Sequence, residues 1–451
     1  MSNTTSQQMI LGMLIGSVGN HQGAWRRPGS RVEDSHDLSL FTDIARAAER
    51  ARIHTLFIAD GLTLDRDQVR TKPFAGLEPI TLLSALAAVT EKIGFVASVS
   101  TTFSEPYNVA RQLASLDHLS RGRAAWNIVT SAWGEINFGK PLPNHAERYR
   151  IADEYVRAIL ALWDSWEEGS IVLDREAGVY ADPERIHPID FSGEHFTIAG
   201  PLNVPRSPQG RPVIAQAGSS EDGKAFAAEH AEIVFTAQQS LADSQEFYRD
   251  LKRGVAAAGR NPDDVKILPG VSPILGRTEK EAIELHRELV NLIDVESGLV
   301  RLSRQLGHVE LSDLDVDGTI PPERLPDIAQ VQGRQSRYGV FKQLAVEEKF
   351  TIRQLIEMEV SSSGHWVPVG SVEQIADQLE ERFLQRGADG FILLPSFYPE
   401  GFTYLTDELV PLLQERGLFQ KEYEGDTLRE RLGLPTPSSV NLVAGSAQGA
   451  S

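Results

Sequence analysis

One stretch decides the fold: residues 93–130 read IGFVASVSTTFSEPYNVARQLASLDHLSRGRAAWNIVT. A short apolar run, Ile93–Ser100, precedes a segment of helical period, Tyr107–Leu119, and a second apolar run, Ala124–Thr130, follows. Parallel strands that are buried on both faces are apolar throughout, and a helical crossover must connect them. The stretch therefore predicts a strand, a helix and a second strand parallel to the first.

The same alternation extends along the chain in both directions. The apolar runs predict eight strands, at residues 9–16, 55–60, 93–100, 124–130, 212–218, 232–237, 265–272 and 389–394. Segments of helical period predict helices at 38–53, 79–91, 107–119, 146–166, 221–230, 241–259, 280–293 and 404–414. Eight strand–helix pairs close a (β/α)8 barrel. A doubly wound open sheet is the alternative, which the lack of Gly-x-Gly-x-x-Gly after the first strand disfavours. We therefore expect an α/β protein with one TIM-barrel domain over residues 1–435.

Two stretches interrupt the alternation. Residues 167–211 are rich in proline, glycine and charge, and they contain a predicted hairpin around Ile189–Ile198. Residues 294–350 show no core pattern of their own. Loops this long inside a compact domain are usually functional. We expect both insertions to lie over the C-terminal mouth of the barrel, where 294–350 would act as a lid. Residues 436–451 are expected to form a disordered tail.

Composition and charge exclude several classes of protein. The chain of 451 residues has no cysteine and a formal net charge of −19. The lack of cysteine excludes disulfides, thiolate metal sites and a cysteine nucleophile, and it agrees with a reducing compartment. The negative charge repels polyanions, so nucleic acid is not an expected partner. The N-terminus has no basic region and its apolar run is too short to span a membrane, so we expect a cytoplasmic protein.

No metal site is expected. Asp313, Asp315 and Asp317 begin like a calcium-binding loop, but Arg324 occupies the position of the closing glutamate. A solvated acidic loop is the better interpretation. The sequence contains no His-Glu-x-x-His zinc motif.

Polar side chains stand where several predicted strands end, which is where barrel enzymes carry their active sites. They are Asp60, Ser100, Thr101, Thr102, Asn127, Thr130, Ser131, Ser219 and Ser220. The segment 218–224, GSSEDGK, has the spacing of a phosphate-binding P-loop, but Ala225 replaces the hydroxyl residue that would hold magnesium. Hydroxyls and small residues at a helix N-terminus still favour an anion such as a phosphate. An N-cap serine in a tight turn is the alternative.

Several long blocks, in order along the chain, carry a family resemblance. They include STTFSEPYNVARQLASLDHLSRGRAAWNIVTSAW (100–133), HAERYRIADEYVRAILALWDSW (145–166), PVIAQAGSSEDGKAFAAEHAEIVF (212–235) and VGSVEQIADQLEERFLQRGADGFILLP (369–395). From about residue 9 to 420 the chain resembles the nitrilotriacetate monooxygenase component A family, a branch of the bacterial-luciferase-like flavin monooxygenases. That family includes aminopolycarboxylate, dibenzothiophene-sulfone, long-chain-alkane and S-substituted N-acetylcysteine monooxygenases.

The resemblance implies the chemistry and the partners. Reduced FMN would arrive from a separate NAD(P)H:flavin reductase and react with O2, the co-substrate, to form a C4a-hydroperoxyflavin. That species would oxidise a small organic compound at a C–N, C–S or C–H position. The resemblance leaves the substrate open. We expect a homodimer or homotetramer.

The resemblance also implies which residues bind the cofactor. It places Asp60 and Thr101 at the isoalloxazine end, with Thr102 beside them, and it adds Asn127 and Ser131 as further contacts. His145 and Tyr149, four residues apart on one helical face, would reach the phosphate and ribityl region, and Ser219 and Ser220 would hold the phosphate. For His145 the alternative is a surface position beside an N-cap. Arg148 and Arg150 are expected to make surface ion pairs.

Three histidines are candidates for handling the proton of the flavin peroxide. His21 resembles a family position that faces the substrate pocket, and imidazole titrates near neutral pH. A loop histidine without a role is the alternative. His308 and His365, in or beside the second insertion, are weaker candidates.

Other functions remain open because barrels carry many chemistries. The main alternatives are a non-oxygenase flavin protein and a barrel lyase that binds a sugar phosphate. A binding module without turnover is a further one. Oxygen consumption that requires substrate, reduced FMN and a reductase would distinguish the monooxygenase from all of them.

Overall fold

The computed structural model describes residues 8–16, 18–66, 68–74, 76–331 and 333–438. Eight parallel strands form a closed barrel in chain order, and the last strand pairs with the first, with Gly390 opposite Ile10. They are β1 (Ile10–Leu14), β2 (Thr55–Ile58), β3 (Gly94–Ser100), β4 (Ala124–Val129), β5 (Val213–Gln216), β6 (Ile233–Thr236), β7 (Lys266–Val271) and β8 (Gly390–Leu393). The predicted (β/α)8 barrel is confirmed, and each predicted strand contains the observed one. The assignment of residues 1–435 to one domain stays a prediction.

Helices surround the barrel, and α9 and α10 lie in the second insertion. They are α1 (Leu38–Arg50), α2 (Pro79–Ala87), α3 (Pro106–Leu119), α4 (Glu135–Phe138), α5 (His145–Trp163), α6 (Glu221–His230), α7 (Leu241–Ala257), α8 (Glu279–Asn291), α9 (Val295–Gln305), α10 (Gln335–Val346), α11 (Ile352–Ser362), α12 (Val372–Leu384), α13 (Glu400–Tyr404), α14 (Val410–Glu415) and α15 (Leu428–Arg431). One π-helical turn, Leu405–Leu409, joins α13 to α14. In the described part of the chain, every helix is too short or too polar to cross a membrane.

Side chains of the barrel strands alternate between two layers of the core, as the pleat of a strand requires. Along β3, Phe95 and Ala97 pack toward the helices, whereas Val96 packs inside the barrel. Along β4, Trp126 packs outward and Ala125 inward. The alternation matters for the site because it decides which side chains at the strand ends face the barrel axis.

The first insertion does not lie where we expected it. The predicted hairpin is present, with Phe191–Ser192 paired to Thr197–Ile198. However, α5 returns the chain to the N-terminal end of the barrel, where Gln209 donates hydrogen bonds to Asp117 and to the carbonyl of Ala124. No residue of 167–211 lines the cavity at the mouth. The insertion covers the outer side of α5 because a segment between a helix and the next strand begins and ends at the N-terminal face.

The second insertion is a helical unit with its own core. The expectation of a long loop without a core pattern is wrong, because α9, α10 and α11 bury a cluster that includes Leu302, Tyr338, Phe341, Leu355 and Ile356. The chain leaves the barrel after β7 and returns at α12, whose apolar face packs on the barrel core. The predicted helix at 280–293 exists as α8, but it belongs to this excursion, and α12 covers the barrel wall instead.

The C-terminal segment crosses the N-terminal end of the barrel. Arg429 on α15 is buried and pairs with Glu232, and Glu232 also accepts a hydrogen bond from the backbone N–H of Ile214. Of the tail expected at 436–451, the residues beyond 438 lie outside the described residues.

Candidate active site

A cavity of about 550 Å³ opens at the C-terminal mouth of the barrel. This volume lies in the range of pockets that hold small molecules and cofactors. Side chains at or near the C-terminal ends of β1 to β6 line it: Leu14, Asp60, Ser98, Asn127, Gln216 and Thr236. The second insertion supplies the opposite side, so its expected position over the mouth is confirmed.

The ends of β3 and β4 contribute a network of small polar groups. Asn127 donates through Nδ2 to Ser98 Oγ at 2.9 Å, and Ser131 Oγ lies 2.8 Å from Ser100 Oγ. The Oδ1 atom of Asn127 is buried and accepts no hydrogen bond from any described residue. A buried acceptor without a partner is costly. The strand ends therefore offer a fixed acceptor to a ligand in the cavity.

Ser219 and Ser220 lie between β5 and α6, as the sequence predicted, and both line the cavity. Ser220 is the N-cap of α6 and accepts from the backbone N–H of Gly223 at 3.2 Å, while Ser219 Oγ lies 2.7 Å from Thr236 Oγ1. A Cβ atom on Gly218 would lie 2.3 Å from Nε2 of Gln216 and 3.1 Å from the Tyr149 hydroxyl. The N-cap alternative and the anion-site prediction thus describe the same loop, which brings hydroxyls and a helix N-terminus to the cavity.

His145 and Tyr149 lie in the first turns of α5 and face this loop. Their ring centroids are 5.1 Å apart, and Nδ1 of His145 lies 3.0 Å from a carboxylate oxygen of Asp222. A carboxylate only accepts, so Nδ1 carries the proton of this hydrogen bond. Burial, and then the charge of Arg148, lower the pKa of His145, whereas burial raises the pKa of Tyr149. The surface alternative for His145 is therefore wrong: the ring is part of the cavity lining.

Other predicted site residues lie outside the cavity lining. Thr101 is buried beneath the lining and its hydroxyl donates to the carbonyl of Val129, and Thr102 follows it in the same turn. His308 is an exposed residue in the turn after α9. His21 is buried behind the mouth, and burial lowers its pKa to about 4, with His286 as a further cause. Its expected role in proton transfer stays a prediction.

His365 does line the cavity. Its ring stacks on Phe235 with centroids 4.8 Å apart, and Arg337 donates to its Nε2 atom. Burial lowers the pKa of His365 well below its usual value. The imidazole is therefore neutral near pH 7 and serves as a hydrogen-bond acceptor.

Sequence reasoning missed two groups of lining residues. The first comprises Ser98, Gln216 and Thr236, which the period-two alternation of side chains along β3, β5 and β6 would have indicated. The second is a set of cations from distant segments: Lys72, Arg148, Arg301, Arg304, Arg334 and Arg337. Arg150 pairs with Glu147 on the surface as expected, but the expectation of a surface ion pair for Arg148 is wrong because this residue is buried at the cavity. No local sequence signal marks these cations.

Comparisons with known proteins agree with this geometry. The family model "Luciferase-like monooxygenase" matches residues 15–390. The chain is 44% identical to N-acetyl-S-(2-succino)cysteine monooxygenase of Bacillus subtilis, over 96% of this chain and 98% of that protein. It is also 44% identical to nitrilotriacetate monooxygenase component A of Aminobacter aminovorans, with the same coverage of both chains. A crystal structure of riboflavin lyase, with modified FMN and riboflavin, superposes with a TM-score of 0.85 at 30% identity, over 96% of this chain and 97% of that one.

Proposed function

The chain belongs to the luciferase-like monooxygenase family, and we propose that its mouth cavity binds reduced FMN supplied by a separate flavin reductase. Its relatives are oxygenating components of two-component flavin-dependent monooxygenases that act on varied small substrates, and the chain is a flavin-dependent monooxygenase. One observation carries the cofactor proposal: the hydroxyl-lined loop at the N-terminus of α6 opens into a cavity large enough for a flavin.

The residues of the cavity fit FMN in two respects. The phosphate end is matched by donors, namely the hydroxyls of Ser219, Ser220 and Tyr149 and the guanidinium of Arg148 on the same helix as Tyr149. The ring end is matched by the unpaired Oδ1 of Asn127, which can accept from an N–H of an isoalloxazine ring. Gly218 leaves the space between Gln216 and Tyr149 open, because a Cβ atom there would fill it.

Bound reduced FMN supplies the two electrons with which one atom of O2 enters the substrate and the other leaves as water. The protein binds and orients it. His145, held by Asp222, and Tyr149 fix the first turns of α5 against the serine loop. Asp60 lies at the end of β2 in the same cavity, and burial raises the pKa of its carboxyl. The second insertion covers the mouth and limits the entry of water, which favours coupled oxidation over release of peroxide.

Oxygen consumption tests this function. The protein is combined with NADH, FMN and a flavin reductase, and candidate substrates are added singly: aminopolycarboxylates, thioethers, aryl sulfones and alkanes. With 18O2, one labelled atom should appear in the product of an accepted substrate, and less peroxide should form than without it. If every candidate leaves both the oxygen uptake and the yield of peroxide unchanged, the proposed function is wrong.

A matched pair of variants links turnover to the cavity. In Ser219→Ala/Ser220→Ala, half-maximal turnover should require a higher concentration of FMN. Ser240→Ala removes the N-cap serine of α7, which lies outside the cavity lining, and should leave that concentration unchanged.

A second candidate follows from the riboflavin lyase comparison, because that protein shares the fold over nearly the whole chain and acts on a flavin. The charge of the cavity disfavours it. Riboflavin is neutral, whereas the lining holds several cations in addition to those at the serine loop. If riboflavin is added to the same assay as the only candidate substrate, loss of its absorbance would favour this function.

A further inference from the structure

Five cations line one cavity together with the serine loop, and they are here called the cationic wall. It comprises Lys72 from the loop after β2, Arg301 and Arg304 from α9, Arg334 immediately before α10, and Arg337 on α10. The chain as a whole carries a net charge of −19. A concentration of positive charge inside one cavity of such an acidic protein therefore calls for a specific explanation.

Only two members of the cationic wall pair with carboxylates of the described chain. Arg301 lies 2.7 Å from Glu359, and Arg304 pairs with Asp65. Arg337 bonds instead to the neutral ring of His365 and to the carbonyl of Gly364. Burial lowers the pKa of Lys72, Arg334 and Arg337 and the charge of Glu359 opposes this shift, but Glu359 already pairs with Arg301. Three positive charges thus have no carboxylate of their own within ion-pair distance among the described residues.

Among these three cations, Lys72 and Arg334 are the two whose side chains lack any polar partner in the described part of the chain. Neither side chain makes a hydrogen bond or an ion pair with a described residue, and Arg334 packs over the ring of Trp133 at 5.2 Å. Arg334 is exposed overall, but it belongs to the cavity lining, and burial lowers the pKa of its guanidinium. Burial, and then the charge of Arg301, lower the pKa of Lys72 to about 8, and burial and Arg334 lower that of Arg337 to about 9. The cations repel one another in a partly dehydrated site, a cost that a bound anion removes.

The cationic wall is distinct from the predicted phosphate site. The phosphate donors come from β5, α5 and α6, whereas the wall comes from the loop after β2 and from the second insertion. Since Lys72, Arg334 and Arg337 each lack a carboxylate of their own within ion-pair distance among the described residues, two carboxylate groups balance their charge better than one. Four of its five members, all but Lys72, belong to the second insertion, which covers the mouth, where a substrate must lie to meet the flavin.

We propose that the cationic wall binds the substrate and that the substrate is a small organic acid with at least two carboxylates. This inference rests on the proposed function for the identity of the site as a substrate site. It goes further in naming the chemical class and the residues, Lys72 and Arg334 above all, that select it.

Binding measurements test the proposal separately from turnover. The probes are N-acetyl-S-(2-succino)cysteine, which has three carboxylates, and its trimethyl ester, which has none; nitrilotriacetate is a second acid. Calorimetry should show binding of the acids and at least tenfold weaker binding of the ester. Loss of one charge-assisted contact weakens binding about 10- to 100-fold, so Lys72→Gln and Arg334→Gln should each weaken the acids by that factor. Lys342→Gln, with the same charge change on α10 outside the cavity lining, is the matched control and should bind the acids like the unmodified protein.

The outcomes separate the two proposals. If the acids bind, and Lys72→Gln and Arg334→Gln weaken them but not FMN, the cationic wall is the acid site even if no acid is oxidised; in that case the proposed function fails alone. If the variants weaken FMN instead of the acids, the wall is part of the cofactor site and the present proposal is wrong. It is equally wrong if the ester binds as well as the acid, or if neither acid binds at millimolar concentration.

Discussion

Replacement of Ser220 by aspartate separates the two roles of the serine loop. Ser220 caps α6 through the backbone N–H of Gly223, and it lines the cavity where we place the FMN phosphate. Aspartate is as good an N-cap as serine, so Ser220→Asp should fold with an unchanged midpoint of thermal unfolding. A carboxylate about 4 Å from one phosphate charge costs about 4 kcal/mol at an effective dielectric constant of about 20. The affinity for reduced FMN should therefore fall by up to about 1,000-fold.

Anaerobic titration with reduced FMN measures this loss through the quenching of protein fluorescence, to which Trp133 contributes because it lines the cavity. Reduced riboflavin lacks the phosphate, so its affinity should be the same for the variant and the unmodified protein. Ser240→Asp places the same charge at the N-cap of α7, outside the cavity lining, and should leave both affinities unchanged. If Ser220→Asp weakens riboflavin as much as FMN, or weakens neither, the phosphate does not bind at the serine loop.

Three further predictions concern the pH dependence, the second insertion and the C-terminal segment. The pKa of Lys72 is lowered to about 8, so its charge is present below that pH and is lost above it. The value of kcat/KM for an acid substrate reports the free enzyme and should fall as pH rises through about 8. Lys72→Arg should remove this fall. Phe341→Ala opens the core of the second insertion and should destabilise that unit by about 3–5 kcal/mol. More peroxide should then form per oxygen consumed. An unchanged yield of peroxide would contradict the role of the insertion as a cover. Arg429→Ala leaves Glu232 buried without its partner and should lower the free energy of unfolding in urea by about 3–5 kcal/mol, whereas a loss below about 1 kcal/mol would show that the pair is not effectively buried.

The sequence predicted the barrel well because its signal is local. Each strand is an apolar run that is buried on both faces, and each helix of the wall carries one apolar face. The helices of the second insertion also carry a local signal, although residues 294–350 were expected to show no core pattern. On α10 the buried residues Tyr338, Phe341 and Leu344 recur three residues apart, and on α11 Ile352, Leu355 and Ile356 stand at helical spacing. What the spacing does not give is the partner of each apolar face, because these helices bury their faces against one another through tertiary contacts.

The residues of the site were predictable where their signal is local, and not where they meet through tertiary structure. Ser219 and Ser220 were identified because a helix N-terminus after a strand is a local feature. The resemblance placed Thr101, which follows β3, at the isoalloxazine end. Alternation places the barrel-facing side chains at Ser98 and Ser100, however, and the Thr101 hydroxyl bonds to the backbone instead. Lys72 and Arg334 come together only because the second insertion folds over the loop after β2. Their meeting depends on tertiary structure and left no trace in the spacing of the residues.

The two sides of the cavity differ in how they are built, and the difference has a functional consequence. The strand ends and the start of α6 are fixed by the barrel ladder, so they suit the binding of the flavin on which the related monooxygenases depend. Most of the cationic wall belongs to the second insertion, which has a separate core, and Lys72 lies on the loop after β2. These side chains can therefore change without disturbing the ladder. A substitution that neutralises the wall should therefore alter which substrate binds while FMN affinity is retained. Relatives that share this barrel and oxidise uncharged compounds would then be expected to differ from this chain at Lys72 and Arg334 rather than at the serine loop.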